Sequence, residues 1–379
     1  MDRPKTLIVA PYFPLPPDSG GRIRVLEGLR YVANFASITF ASLYYGLWDL
    51  REYSLLKNLC EDIVLARVDY VSQVKSTLLP SATTKATSPQ MMQALARLAE
   101  ENNFDLVHFH HVYLGEYFEL FSDIPIILED HNVESVVYSR AKNFEEAKKM
   151  RKYEIQKWRE ADEIIVVTEQ DKKLICNITN VGAHKVTVSP NGVDCQYFKP
   201  HKPQDNIRIV FLGYLDYQPN RDAIKFFHET IWPILKPLEL EWIIVGSGNP
   251  SSLQDLESDP LISICRNPPD VRPFLDSNSI FIVPLRVGGG SRLKILTAFA
   301  MGSPVVSTNI GCEGIPAVSG KHLLIANSTD EMHNAIVRLV NDMQLRNRLG
   351  TQARLFVEES FLWNDTLASI KQVYSRLLQ

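Results

Sequence analysis

Between Pro284 and Lys294 the chain reads Pro-Leu-Arg-Val-Gly288-Gly289-Gly290-Ser291-Arg292-Leu293-Lys294. The three glycines stand between a short apolar run, Ser279 to Pro284, and a segment carrying Leu293, Leu296, Ala300 and Met301 at helical spacing. A strand, a glycine loop and a helix start make an anion site. N–H groups point outward, the helix dipole favours negative charge, and glycine lets a phosphate approach the backbone. Arg292 and Lys294 fall in the first turn, where the dipole disfavours cations. An anionic ligand is the natural reason to place them there; the alternative is a plain turn with two solvated cations. The helix ends at Gly302, before Pro304, and Ser303 to Ser307 reads as the next strand.

The same succession stands near the start. Thr6 to Ala10 is a strand, Pro11 to Arg22 a loop with Gly20 and Gly21, and Ile23 to about Val32 a helix. A glycine pair is a weak signal alone: Gly20, Gly21 and Arg22 fit either a ligand contact or a tight turn with a solvated arginine. Asp105 to His111 is a strand running into a loop, and alternation puts His108 and His110 on one face with His111 opposite. No cysteine or paired carboxylate is spaced to complete a metal site there. Ligand contact by His110 or His111 and hydrogen-bonded structural histidines remain as readings. Ile124 to Leu128 is a strand ending in Glu129-Asp130-His131-Asn132-Val133-Glu134. Polar residues at the C-terminal end of a parallel strand lie where such sheets bind ligands. His131 has a resting pKa suited to carrying a proton. Asp130 and Asn132 fit equally well as caps of a helix start.

The elements that must position these residues alternate. Strands are expected at Ser37–Leu43, Asp62–Ala66, Asp162–Thr168, Lys185–Pro190, Ile207–Leu212, Trp242–Val245, Leu261–Cys265 and Lys321–Ile325. Helices are expected at Met91–Glu101, Glu145–Glu160, from Glu169, from Asp222 to about Leu235, from Asp270, and over Thr329–Asn341 and Met343–Glu358. Tyr70 to Gln90 reads as a loop. Such alternation implies parallel sheets with right-handed crossovers. At 379 residues the chain is right for two domains. A polar, proline-containing linker runs from Lys199 to Asn206.

Composition excludes some classes. A net charge of −4 gives no reason to expect nucleic acid. Five scattered cysteines without a close pair argue for a reducing compartment. No signal peptide and no apolar stretch of spanning length is read, so the expected location is cytoplasmic. The Glu145–Glu160 helix carries Lys148, Lys149, Arg151, Lys152, Lys157 and Arg159 among glutamates. It reads as a solvated face, or as a basic surface for anionic lipid or a lipid-phosphate acceptor at the inner face of a membrane.

The glycine stretch resembles the donor-nucleotide loop and helix of GT-B glycosyltransferases of the family-4 type (glycosyl transferases group 1). Many members read Gly-Gly-Gly-(Ser/Thr)-Arg-Leu-Lys-Ile-Leu-Glu-Ala, then Gly-x-Pro-Val-Val-Ser-Thr and Gly-x-Glu-Gly. One position departs: the family's ribose-binding Glu falls at Thr297, whose hydroxyl is uncharged and shorter in reach. The first Glu of the family's Glu-x7-Glu pattern falls at Gly289, as in a glycine-rich subgroup. Asp130-His131-Asn132-Val133-Glu134, Asn191-Gly192-Val193-Asp194, Phe211-Leu212-Gly213 and Pro219-Asn220 are similar to further family segments.

The resemblance implies an α/β chain with two Rossmann-like doubly wound domains facing across a cleft. The N-terminal acceptor domain would span 1–198, with 361–379 packing back on it, and the donor domain 199–360. Donor contacts are implied for Gly20, Gly21, Arg22, Asn191, Gly213, Gly289, Gly290, Ser291, Leu293 and Thr297. Arg292 and Lys294 would neutralise the leaving diphosphate, and His131 would hydrogen-bond the transferred sugar or the acceptor. The implied activity is metal-independent, retaining transfer from a nucleotide-diphosphate sugar to a hydroxyl, with no cofactor besides the donor. The acceptor would be a saccharide, a lipid-linked glycan or a small molecule. The competing readings are a GT-B nucleotide-sugar epimerase, which needs acid–base carboxylates, and a catalytically weakened sugar-nucleotide-binding subunit, motivated by Thr297.

Overall fold

A computed structural model describes residues 3–46, 52–68 and 78–379. Contacts divide the chain into two units. One runs to Pro190 and takes in Leu367–Gln379; the other is Asn191–Thr366.

The first unit is built on β1 (Lys5–Ala10), β2 (Ser37–Tyr44), β3 (Asp62–Arg67), β4 (Leu106–His110), β5 (Ile126–Asp130), β6 (Glu163–Val166) and β7 (Val186–Val188). They pair in parallel in the order β3-β2-β1-β4-β5-β6-β7. Strands β4 and β5 are buried at every residue, so His108, His110, Glu129 and Asp130 are buried along with their apolar neighbours. The second unit is built on β8 (Arg208–Leu212), β9 (Glu241–Gly246), β10 (Ile262–Arg266), β11 (Ser279–Val283), β12 (Val305–Ser307) and β13 (Leu324–Ile325). Their order is β10-β9-β8-β11-β12-β13, again parallel. Each sheet reverses direction of growth once, between β1 and β4 and between β8 and β11. Loops leaving those neighbouring strands part to opposite faces, and ligands of such sheets bind at that point.

The helices used below are α1 (Gly20–Val32), α2 (Pro89–Glu101), α3 (Glu134–Arg140), α4 (Phe144–Glu160), α5 (Glu169–Thr179), α6 (Gln218–Phe226), α7 (Leu293–Ala300), α8 (Thr329–Asn341), α9 (Met343–Ser360) and α10 (Ala368–Leu377). Most were legible from period and caps. Helix α8 carries a full capping box between Ser328 and Glu331. Helix α7 stops in a Schellman turn: Gly302 has φ 71°, its N–H donates to Phe299 O, and the Ser303 N–H donates to Ala298 O.

Some expectations are corrected. The expected loop over 70–90 lies outside the described residues up to 77, and beyond them it is helical. Ser81–Ala86 forms a short helix, and α2 begins at Pro89 with the Ser88 hydroxyl as its cap. Tyr117 ties the two together, donating to Ala86 O and accepting from the Ser88 N–H. Helix α1 starts at Gly20, three residues early, so the glycines are its first turn. Helix α6 starts four residues early, at Gln218. Strand β5 is shifted, so Glu129 and Asp130 lie within it. The segment from Asp270 makes a single 3-10 turn, Arg272–Phe274, where Pro273 lacks an N–H and Arg272 folds back on Asp270.

Candidate functional site

In the second unit the point of reversal brings the loop after β8 beside the loop after β11. The first supplies Gly213 and leads into α6; the second supplies Gly288 to Arg292 and leads into α7. Glycine is required where the chain turns: Gly288 has φ 140° and Gly290 φ 65°. Arg292 precedes α7 without capping it through its side chain. Its buried guanidinium instead spans the loop, donating to Gly289 O, Gly290 O and Ile310 O. Arg292 therefore holds the glycine loop in shape while leaving a positive charge at the helix start.

Lys294 is the group presented to a ligand. Its Nζ donates to Asn220 Oδ1 at 2.7 Å and lies 4.4 Å from the centre of the Phe211 ring. It makes no ion pair among the described residues. Burial, helped by the charge of Arg292, pushes its pKa down to about 7. A cation that is desolvated, placed at a helix N-terminus and without a carboxylate gains most from a phosphate. Gly213 gives it room: a Cβ there would sit 2.8 Å from Lys294 Nζ and 2.7 Å from Asn220 Nδ2.

Asn191 opens the second unit and donates from Nδ2 to Ser291 O at 3.4 Å. Asn191 Oδ1 and Ser291 Oγ are both buried without a hydrogen-bond partner. Such atoms are uncommon, and two side by side at a glycine loop mark a place for a polar ligand. Thus Asn191, Gly213, Gly289, Gly290, Ser291, Arg292, Leu293 and Lys294 come together beyond the C-terminal ends of the central strands β8 and β11. Thr297 lies one turn along α7 from Lys294, half-buried. The family-like segments Phe211-Leu212-Gly213 and Pro219-Asn220 pointed to this place in the sequence, but not to the contacts of Phe211 and Asn220 with Lys294.

In the first unit the point of reversal gathers a different set. His108 and His110 share a face, their rings stacked 4.8 Å apart. His111 does not take the opposite face. It leaves the strand with φ 70°, and its ring turns back to within 4.1 Å of His131. Glu129 is fully buried and central. Arg24 Nε donates to its Oε1 at 2.7 Å, and His108 Nε2 lies 3.1 Å from its Oε2. The network extends from His108 to Tyr374 Oη on α10 (3.0 Å) and from His110 to His131 (3.2 Å). Tyr12 Oη closes it, 2.8 Å from His111 and 3.5 Å from His131.

Burial works against a charge on Glu129, yet Arg24 and the histidines hold its carboxyl well below the usual range. Burial lowers the pKa of His110, His111 and His131, so the rings are neutral near pH 7. The nearest donor atoms of His108, His110 and Glu129 lie within 4.8 Å of one another, a spacing a metal could use. Arg24 already meets the carboxylate's charge, and His108 is spent on Tyr374 and Glu129. These groups form a hydrogen-bonded polar core in which His111 Nδ1 is left buried without a partner. His131 belongs to it through both ring nitrogens and is nearly buried.

Gly21 is small because Tyr12 is there: a Cβ would lie 2.1 Å from Tyr12 Oη. Gly20 is the first residue of α1, whose cap position, Ser19, makes no side-chain cap. Arg22 turns back to Asp18 (3.5 Å) and Pro16 O. Asp130 is spent on structure as well, accepting from the Val112 N–H and from Trp158 Nε1, each at 2.7 Å. Glu134 accepts from Asn132 at the start of α3.

Two doubly wound parallel-sheet units, one with a cationic glycine loop opening a helix, are the architecture of the GT-B class. The chain belongs to the family-4 glycosyltransferases: the family description "Glycosyltransferase Family 4" matches residues 48–197, and "Glycosyl transferases group 1" matches 206–342. It is a glycosyltransferase that uses a nucleotide-sugar donor. It is 24% identical over 371 residues to the UDP-Gal:alpha-D-GlcNAc-diphosphoundecaprenol alpha-1,3-galactosyltransferase of Escherichia coli, covering 86% of this chain and 92% of that protein. Its fold is shared with a sucrose-phosphate synthase from Thermosynechococcus elongatus (TM-score 0.79, 17% identity, 99% of each chain). It is shared too with HepE from Anabaena in complex with UDP-glucose (TM-score 0.73, 13% identity, 98% of this chain and 99% of that one).

Proposed function

We propose that the chain moves a sugar from a uridine diphosphate sugar to a hydroxyl of a lipid-linked saccharide, with retention at the anomeric carbon and without a metal ion. The observation that carries the donor side is Lys294, desolvated at a glycine-loop helix start with no carboxylate partner. In this reading the diphosphate lies against the first N–H groups of α7. Lys294 donates to its oxygens, and Arg292 adds charge through the loop it braces. As the bond from the anomeric carbon to the leaving phosphate oxygen breaks, negative charge gathers on that oxygen. Lys294 and the helix dipole stabilise it there. Asn191 Oδ1 and Ser291 Oγ accept from donor hydroxyls, and Thr297 contributes a weaker contact to the ribose.

Uridine is favoured because the E. coli relative is named for a UDP-galactose donor and the Anabaena structure holds UDP-glucose. A lipid-diphosphate saccharide is favoured as acceptor by the name of the E. coli relative. Metal independence is supported by the two cations at the glycine loop, Arg292 and Lys294, and by the lack of an Asp-x-Asp motif in the chain. His131 keeps a role toward the sugar or the acceptor only if its ring leaves the core contacts it now makes. Its neutral state suits hydrogen bonding rather than charge.

The test is calorimetric titration with UDP, ADP and GDP, followed by turnover with UDP-sugars and a diphospholipid-linked saccharide. UDP binding that is weakened 10- to 150-fold by Lys294→Ala is expected, the range for a charge-assisted bond. Full activity in a chelator and an α-linked product from an α-linked donor are expected. No nucleotide binding, or binding indifferent to Lys294→Ala, refutes the donor site; an inverted product refutes retention.

A further inference from the structure

We propose that His111 touches substrate: its Nδ1 accepts a hydrogen bond from a hydroxyl of the bound saccharide, and Tyr12, His131 and Glu129 are positioning residues that keep that nitrogen free of a proton. His131 spends both ring nitrogens inside the cluster, on Tyr12 and His110, and His108 spends both of its own on Glu129 and Tyr374. His111 spends only Nε2, on Tyr12. Its Nδ1 has no partner, in a residue that is 5% exposed. The backbone is a second sign. With φ 70° and ψ 136°, His111 sits where residues other than glycine are seldom found. Strain of that kind persists where the surroundings enforce it, and it gathers at sites that bind or react. The bend carries the ring beyond the C-terminal ends of β1 and β4, where the first sheet reverses and such sheets bind ligands. There the Tyr113 ring stacks on it, centres 5.1 Å apart and planes 4° apart, and His131 lies 4.1 Å away. Two rings and one hydrogen bond fix its orientation.

The direction of each hydrogen bond follows from one charge. Burial keeps His111 and His131 neutral, so each ring carries one proton. Glu129 is ionised and only accepts. Of the two ring nitrogens near its Oε1, His131 Nε2 is the closer, at 3.6 Å against 3.8 Å for His110 Nδ1. The proton of His131 is therefore on Nε2, and its Nδ1 accepts from the Tyr12 hydroxyl. Tyr12 then offers a lone pair to His111, whose Nε2 donates to it at 2.8 Å. That leaves a lone pair on His111 Nδ1. The opposite direction would bury an N–H with no acceptor, which proteins seldom tolerate. A lone pair held out of water selects for a hydroxyl, because a saccharide lacking it leaves Nδ1 orphaned.

The inference deepens the glycosyl-transfer reading and rests on it for the identity of the saccharide. Its test begins with the full chain carrying isotope-labelled histidine, in which long-range proton–nitrogen correlations tell a bare ring nitrogen from a protonated one. The His111 signals are those that vanish in His111→Asn. A bare Nδ1 and a protonated Nε2 are expected in the free protein, and a mixture of the two forms in Tyr12→Phe. UDP-glucose and GlcNAc-diphosphoundecaprenol are then added separately. The one that moves the Nδ1 signal assigns the hydroxyl to the transferred sugar or to the acceptor. His111→Gln keeps a donor for Tyr12 and nothing at Nδ1, and should raise KM for that substrate about 10- to 100-fold, the scale of a buried polar atom left unpaired. His111→Asn places an amide oxygen near the lost Nδ1 and should recover most of that. A protonated Nδ1 in the free protein, a signal unmoved by either substrate, or KM values indifferent to His111→Gln overturns the proposal. Equal losses in the two variants make the ring structural and overturn it as well. A signal that moves with a saccharide, in a protein inactive on lipid-linked acceptors, keeps the His111 contact and faults the acceptor reading.

Discussion

Lys294 makes donor affinity a function of pH, and the size of the effect can be worked out. Its pKa in the ligand-free protein is about 7, lowered by burial and by Arg292. A diphosphate oxygen beside Nζ favours the ammonium, so binding raises that pKa and takes up a proton wherever the free lysine is neutral. The sign follows: affinity is greatest below pH 7 and falls as pH rises, by up to ten-fold per unit. Between pH 6 and pH 8.5 the neutral form grows from about a tenth to about thirty times the charged form. Affinity should therefore drop about 30-fold, or about 2 kcal/mol. A UDP-sugar is the right probe, because its phosphates carry constant charge over this range and UDP's terminal phosphate does not. Calorimetric titration with UDP-glucose at five pH values reads the slope directly. Lys294→Met should bind weakly with a flat profile. A flat profile in the unsubstituted protein, or a slope that survives in Lys294→Met, would refute the assignment of this lysine to the donor phosphates.

Three further outcomes are expected. Arg24→Met leaves Glu129 charged, buried and without its guanidinium, which should cost about 3–5 kcal/mol in urea unfolding; a change under 1 kcal/mol would show that the histidines alone sustain the carboxylate. Glu154 is buried beneath Ser135, and burial raises its pKa to about 8. Its folded pKa lies above its unfolded one, so its contribution is present below pH 4.5 and is lost as pH rises through 8. Glu154→Gln should flatten that decline in the melting temperature, and an unchanged slope would count against it. Thr297→Glu should raise affinity for UDP-glucose several-fold if position 297 meets the ribose, with equal affinity of both forms as the contrary result.

The parts legible in the sequence are those set by neighbours in the chain. Three glycines, two cations in a first helical turn and a closing Gly302 are local signals, and the strand, loop and helix follow from them. The period of two correctly put His108 with His110. What escaped was set by distant partners. Arg24 reads as one more helix cation until Glu129, 105 residues on, is brought against it. Nothing near Gly21 in the chain announces the Tyr12 ring, whose Oη a Cβ there would meet. His111 was misplaced because alternation assumes an extended backbone, and residue 111 has a positive φ. Lys157 looked like surface charge for the same reason as Arg24: its ring partners, Phe118 and Tyr153, are remote or lie on the inner face of its own helix.

Helix α10 carries a consequence for how the protein is made. Tyr374 bonds His108 inside the first unit, and Arg376 reaches Glu163 with two contacts of 2.8–3.0 Å. A ribosome would deliver these residues only after the whole second unit has emerged. The first-synthesised unit is thus the last to be completed. Until then its histidine core lacks a wall, and a nascent chain stalled before residue 367 should be the form that chaperones hold longest.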